Sequence, residues 1–131
     1  MAKLAHSMIR VIEEDRSVDF YRRAFGLEVV NRLEFADFTL VYMATSLDGF
    51  ELELTINHGR TEPYDLGNGY GHLAVVVDNL MAEHARFTAE GLTVGNIVDF
   101  KNGRTPVARF FFATDPDGYK IEVIQKGGRF V

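Results

Sequence analysis

Asp48-Gly49-Phe50-Glu51-Leu52-Glu53 and Asp117-Gly118-Tyr119-Lys120-Ile121-Glu122 are one pattern written twice, with a shift of 69 residues. Each runs Asp-Gly, aromatic, charged, aliphatic, Glu, so a turn signal leads into a strand that carries a carboxylate. Working outward, Gly26-Leu27 matches Gly91-Leu92 at a shift of 65, and His6 matches His72 at a shift of 66. Shifts that differ by a few residues are what loop-length drift in an internal duplication gives.

Between these anchors the elements follow the same order in both halves. Residues 4–12 read as a strand. Val18, Tyr21 and Phe25 recur at helical spacing, which predicts a helix over about 15–25 with Gly26 as its C-terminal stop. Residues 27–34, 38–44 and 50–56 read as strands, with Asp48-Gly49 as a hairpin turn. After a Gly-rich connector, residues 63–71, come a strand at 71–77, a helix at about 79–90 stopped by Gly91, and three more strands. The expected fold class is α+β, two βαβββ repeats in a single domain spanning 1–131. Repeat one covers about 4–57, the connector about 58–69 and repeat two about 70–126.

Composition narrows the chemistry. The 131 residues suffice for one domain with a real core, and the 47% hydrophobic and 25% charged fractions are those of an ordinary globular protein. A net charge of −5, from 14 basic and 19 acidic residues without a basic run, argues against nucleic acid as a partner. No apolar run reaches the roughly 18 residues of a membrane span, and the first residues lack the apolar core of a secretion signal, so a cytoplasmic location is expected. The absence of cysteine removes thiolate nucleophiles, disulfides and Cys-ligated zinc, leaving His and carboxylates for any metal.

Strand parity then selects candidates, because alternate side chains share a face. Leu52, Leu54 and Ile56 point one way, and Glu51, Glu53, Thr55 and Asn57 the other; Ser7, Ile9 and Val11 oppose His6, Met8 and Arg10. Each half thus offers one His at the start of its first strand and one Glu in its last, so His6, Glu53, His72 and Glu122 make a set of two imidazoles and two carboxylates. That set suits zinc, nickel, cobalt, iron or manganese, whereas magnesium and calcium favour oxygen alone. Taken singly, a His at a strand start is more often a partly buried polar residue, and Glu51 with Glu53 fits the solvated face of an edge strand. Recurrence in both halves is what a solvated face has no reason to produce. The repeat permits a site within one chain or between two, because each half brings half a shell. His84, among charged residues in the second helix, and His58, in a turn with Gly59, have no counterpart and read as surface groups.

The same residues resemble glyoxalase I (lactoylglutathione lyase), a family of the vicinal oxygen chelate superfamily. The resemblance runs almost end to end through His6-Ser7-Met8-Ile9-Arg10-Val11, Arg16-Ser17-Val18-Asp19-Phe20-Tyr21, Glu53-Leu54-Thr55-Ile56-Asn57, Tyr70-Gly71-His72-Leu73-Ala74 and Asp115-Pro116-Asp117-Gly118-Tyr119-Lys120-Ile121-Glu122. It implies a vicinal oxygen chelate fold, one divalent metal per site on His6, Glu53, His72 and Glu122, and a homodimer whose sites straddle the subunit boundary, His6 and Glu53 coming from one subunit and His72 and Glu122 from the other. Nickel or cobalt is expected by analogy with short family members, with zinc as the alternative. The resemblance also assigns the γ-glutamyl end of glutathione, the co-substrate, to Arg10 and Asn57, an Arg and an amide being suited to grip a carboxylate and its polar neighbours. Two departures stand out: no aromatic residue at Ile56 or His58, and Lys101-Asn102-Gly103-Arg104-Thr105-Pro106 in place of a short Gly-rich segment. Lys101 and Arg104 are the candidates there for the glycyl end, and the departure bears on which thiol is used.

The activity implied is isomerisation of the methylglyoxal–glutathione hemithioacetal to S-lactoylglutathione by a proton shift through an enediolate. The resemblance favours Glu122 as the base, with Glu53 able to act on the other face of the substrate. Three rivals share the fold. A methylmalonyl-CoA epimerase-like isomerase typically carries Gln where this chain has Glu53, a ring-cleaving dioxygenase uses two His and one carboxylate, and a non-catalytic small-molecule binding protein needs no matched ligands.

Overall fold

The computed structural model describes residues 1–46 and 49–131. Asp48, half of the expected Asp48-Gly49 turn, lies outside the described residues. The chain forms two compact units, Met1–Asp65 and Leu66–Val131.

The first unit runs β1 (His6–Arg10), α1 (Glu14–Phe25), β2 (Glu28–Glu34), β3 (Phe38–Ala44) and β4 (Glu51–Asn57). Its sheet has the order β1-β4-β3-β2, with β1 parallel to β4 and the other pairs antiparallel. β1 is shorter than the 4–12 expected because its ladder follows β4, whose partners run only from Glu51 to Thr55. Leu4 is accordingly exposed. α1 places Glu14 and Asp15 in its first turn and Arg22 and Arg23 in its last, complementing the helix dipole. Gly26 closes it with φ 68°, a left-handed conformation that any Cβ would strain, and donates its N–H to Arg22 O.

The buried stripe of α1 is Ser17, Phe20, Tyr21 and Ala24, not the Val18–Tyr21–Phe25 line read from spacing. Val18 and Phe25 flank it half-buried, because one residue of rotation separates two stripes that satisfy the same period. With Ile9, Val11, Val41, Met43, Leu52 and Leu54, all on the opposite parity to His6 and Glu53, the stripe makes the core of this unit.

The second unit runs β5 (Leu73–Val77), α2 (Leu80–Ala89), β6 (Thr93–Val94), β7 (Val98–Asn102), β8 (Thr105–Thr114) and β9 (Lys120–Gln125). The order is β5-β9-β8-β6, with β7 also pairing β8 and β5 parallel to β9. Four strands follow α2 where three were expected. The counterpart of β2 is broken at Gly95, which lacks strand propensity and instead donates its N–H to Phe112 O before β7 rejoins β8 further along. Leu80, Phe87, Phe111, Ala113, Ile121, Val123 and Ile124 form the core. Together these are the α+β architecture of the vicinal oxygen chelate fold, a βαβββ module and a second whose third element is split in two.

Candidate metal and active site

In the first unit the ladder fixes which side chains meet. β1 pairs Met8 with Glu53 and Arg10 with Thr55, and β3 pairs Tyr42 with Glu53, so His6, Arg10, Tyr42, Glu53, Thr55 and Asn57 share the face opposite the core. His6 Nε2 lies 3.1 Å from Glu53 Oε2, and the other oxygen, Oε1, accepts a 2.8 Å hydrogen bond from Tyr42 OH. The Tyr42 ring meets the His6 ring edge-on at 5.9 Å. Bonded to that carboxylate and partly desolvated, the Tyr42 phenol is held above its ordinary pKa.

The second unit repeats the arrangement. β5 pairs Ala74 with Glu122 and β8 pairs Phe112 with Glu122. His72, one residue before β5, has Nε2 3.6 Å from Glu122 Oε1 and meets the Phe112 ring edge-on at 5.1 Å. The turn that presents Glu122 is built by buried Asp115, whose Oδ1 accepts the N–H groups of Asp117 and Tyr119, each at 2.9 Å, while Gly118 takes φ 95°. That is the physical content of Asp115-Pro116-Asp117-Gly118.

Two donors each about 2.1 Å from one ion lie about 3.0 Å apart at an octahedral right angle and about 3.4 Å apart at a tetrahedral one. The observed 3.1 and 3.6 Å fall close to those spacings in both units. Neutral imidazole nitrogen with carboxylate oxygen is the donor chemistry of a borderline divalent ion, so the residues present fit one. The same spacing suits an imidazolium–carboxylate pair, and the recurrence of the pair in both units is what favours ligation. Among the described residues no group of three or more such side chains comes together.

The thiol-binding candidates separate. Arg10 stands on the ligand face of β1, and Asn57 at the end of β4 donates Nδ2 to Tyr64 OH at 2.9 Å, which leaves its Oδ1 to accept. Thr55, between Glu53 and Asn57 on that face, is buried with an Oγ1 that has no hydrogen-bond partner among the described residues, a group suited to a polar ligand. Lys101 lies in β7 and Arg104 in the β7–β8 turn, both exposed. Lys101 lines a cavity of about 530 Å³ with Phe100, Val107, Arg109, Lys126 and Phe130, and neither His–Glu pair reaches it.

Parity set Thr55 on the Glu53 face without assigning it a role, and it missed Tyr42. Counting the hairpin outward from the expected Asp48-Gly49 turn sets Ala44 opposite Glu53, whereas the observed register pairs Tyr42 with Glu53. The two remaining histidines are more engaged than surface groups: His58, though exposed, bonds Thr39 Oγ1 at 2.8 Å and Ala36 O at 3.0 Å, and half-buried His84 bonds Gly95 O at 2.8 Å and packs edge-on against Phe111.

Known proteins share this framework. The chain is 42% identical over 132 aligned residues to a lactoylglutathione lyase of Neisseria meningitidis, covering 95% of this chain and 91% of that one. A probable lactoylglutathione lyase of Vibrio parahaemolyticus is 37% identical over 94% of this chain and 90% of its own. Among solved structures, the trypanothione-dependent glyoxalase I of Leishmania major superposes with a TM-score of 0.79 at 29% identity, over 95% of this chain and 87% of that one. The sequence profile of one family matches residues 3–123, and the chain therefore belongs to the Glyoxalase/Bleomycin resistance protein/Dioxygenase superfamily.

Proposed function

We propose that this chain is a lactoylglutathione lyase that converts the methylglyoxal–glutathione hemithioacetal to S-lactoylglutathione. The observation that carries the reading is the pair of matched His–Glu sets at ligand spacing, in a chain 42% identical to a lactoylglutathione lyase. His6, Glu53, His72 and Glu122 hold one divalent ion, nickel or cobalt before zinc. Each half supplies two donors, so four meet only where two halves meet. The reading takes His6 and Glu53 from one subunit of a homodimer and His72 and Glu122 from its partner.

When bound, the ion acts as a Lewis acid on the negative charge that develops on the substrate's oxygens. Glu122 takes the proton from one carbon of the hemithioacetal and returns it to the adjacent carbon, and Glu53 lies on the other face of the substrate. Arg10 and the Oδ1 of Asn57 grip the γ-glutamyl end, and the buried Thr55 hydroxyl completes that polar surface. Lys101 and Arg104 provide cations for the glycyl carboxylate. The cytosol, where glutathione keeps thiols reduced, is the fitting compartment. Among the described residues no helix is long and apolar enough to cross a membrane.

The test is an absorbance assay with methylglyoxal and glutathione on metal-stripped protein, with nickel, cobalt, zinc and iron restored in turn. Turnover should return most strongly with nickel or cobalt. Metal uptake without thioester formation would move the chain to another activity of the superfamily, and no uptake would remove the ligand assignment.

A further inference from the structure

We infer that Tyr42 is a positioning residue that pins Glu53 in place through its hydroxyl, so that the two matched carboxylates are unequal and the mobile one is Glu122. The inference rests on the metal-site reading above and goes beyond it by naming what makes the two halves differ.

The geometry is direct. Both oxygens of Glu53 are engaged, Oε2 toward His6 Nε2 at 3.1 Å and Oε1 by the Tyr42 hydroxyl at 2.8 Å. Glu53 is also buried, 8% exposed, so water cannot readily replace the phenol as donor. In the second unit the residue paired with Glu122 across the hairpin is Phe112, the position that Tyr42 holds opposite Glu53. Both rings meet their histidine edge-on, at 75° and 77°, so the aromatic packing is preserved and only the hydroxyl differs. Glu122 keeps the His72 contact at 3.6 Å, and among the described residues no hydrogen-bond donor holds its second oxygen.

A carboxylate that carries a proton must turn its oxygens toward the substrate, and a hydrogen bond from a fixed donor opposes that movement. Glu53 has that bond and Glu122 lacks it. The hydroxyl therefore holds Glu53 in place and leaves the proton transfer proposed above to Glu122.

The test removes or moves the hydroxyl while keeping the ring. Metal-stripped wild type, Tyr42→Phe and Phe112→Tyr are titrated with Co2+ against a chelator and followed by the visible absorption of the bound ion. Each is then combined with activity measurements, including the double variant Tyr42→Phe with Glu122→Gln. A hydrogen bond to a charged acceptor sets the scale, so Tyr42→Phe should weaken Co2+ binding by about tenfold and change the spectrum. It should also raise the residual turnover of Glu122→Gln severalfold, because a released Glu53 can then take the proton. Phe112→Tyr should do the reverse, tightening Co2+ and lowering turnover several-fold. Equal Co2+ affinity and spectrum in wild type and Tyr42→Phe would overturn the inference while leaving the metal site standing. Wild-type chain that takes up no Co2+ would overturn the metal reading and this inference with it.

Discussion

Glu53 and Glu122 occupy the same place in the two halves, each paired across its parallel ladder with the residue two beyond a histidine, Met8 in one case and Ala74 in the other. Around them the halves diverge. Tyr42 faces one carboxylate and Phe112 the other; β2 is continuous where β6 and β7 are broken at Gly95; and Arg10, carried forward by the histidines' shift of 66, meets Val76. A duplication preserves what the backbone ladder dictates, because register sets which face a residue takes. Side chains on that face are then free to divide the chemistry.

The largest expected effect breaks the symmetry at the carboxylates. Glu122→Gln should lower turnover by about 10²- to 10⁴-fold, the usual contribution of a general base, while retaining part of the metal through the amide oxygen. Glu53→Gln should cost less turnover and more metal, since the part proposed for it is to hold the ion. Parallel metal analysis and steady-state kinetics of both variants decide it. Near-normal turnover in Glu122→Gln, or a greater loss in Glu53→Gln, would exchange the two roles.

A second experiment asks where the halves meet. In a mixed dimer of a Glu53→Ala chain and a His72→Ala chain, intersubunit sites place both lesions in one site and leave the other with four intact ligands. Activity should reappear from two nearly inactive parents, up to about half of wild type per mixed dimer if the sites are independent. Sites built within single chains would recover nothing, so a flat result with verified subunit exchange would put the site inside one chain.

A smaller effect concerns substrate grip, which the proposed function assigns to Arg10, Thr55 and Asn57 of the first half. Arg10→Ala should raise KM for the glutathione adduct by about tenfold with little change in kcat, because it removes a charged contact made equally in ground and transition states. Val76→Ala, at the matching place in the second half, should leave KM unchanged. Equal effects from both would mean that the γ-glutamyl end is not read by the first half alone.

How far the sequence carried depends on the kind of interaction. The strands of the first half follow from period-two patterning and the helix stops from Gly26 and Gly91, because these are local properties of the chain. The His6–Glu53 and His72–Glu122 contacts were legible through the repeat, which substitutes for distance information. Tyr42 was not, because the register across its hairpin is two residues off the one that the expected Asp48-Gly49 turn implies. Nor were the Ser17 stripe, the Gly95 break or the bonds of His58 and His84, all of which turn on a rotation or a distance that spacing leaves undetermined.

The smallest expected effect tests whether the halves also differ in stability at equivalent helix starts. Both N-cap residues have extended backbone, φ −124° and ψ 117° at Glu13, φ −137° and ψ 94° at Asn79. Only Asn79 caps with its side chain, its Oδ1 accepting from Ala82 N at 3.0 Å, whereas Glu13 makes no cap bond and reaches Arg16 only at 3.8 Å on the surface. A short amide or hydroxyl can reach the N–H groups of the first turn from that position, and a Glu side chain overshoots them. Asn79→Ala should therefore lower the unfolding free energy by about 1 kcal/mol, and Glu13→Asn should raise it by about 0.5 kcal/mol, since an exposed Glu13–Arg16 contact contributes little. Urea midpoints at unchanged m-value measure both, and turnover should move in neither, because the caps lie on the helices rather than on the ligand face. If Glu13→Asn were neutral while Asn79→Ala cost the full amount, the Glu13 backbone would already be satisfied by the dipole-complementing Glu14 and Asp15, and the halves would differ in how they cap rather than in whether they do.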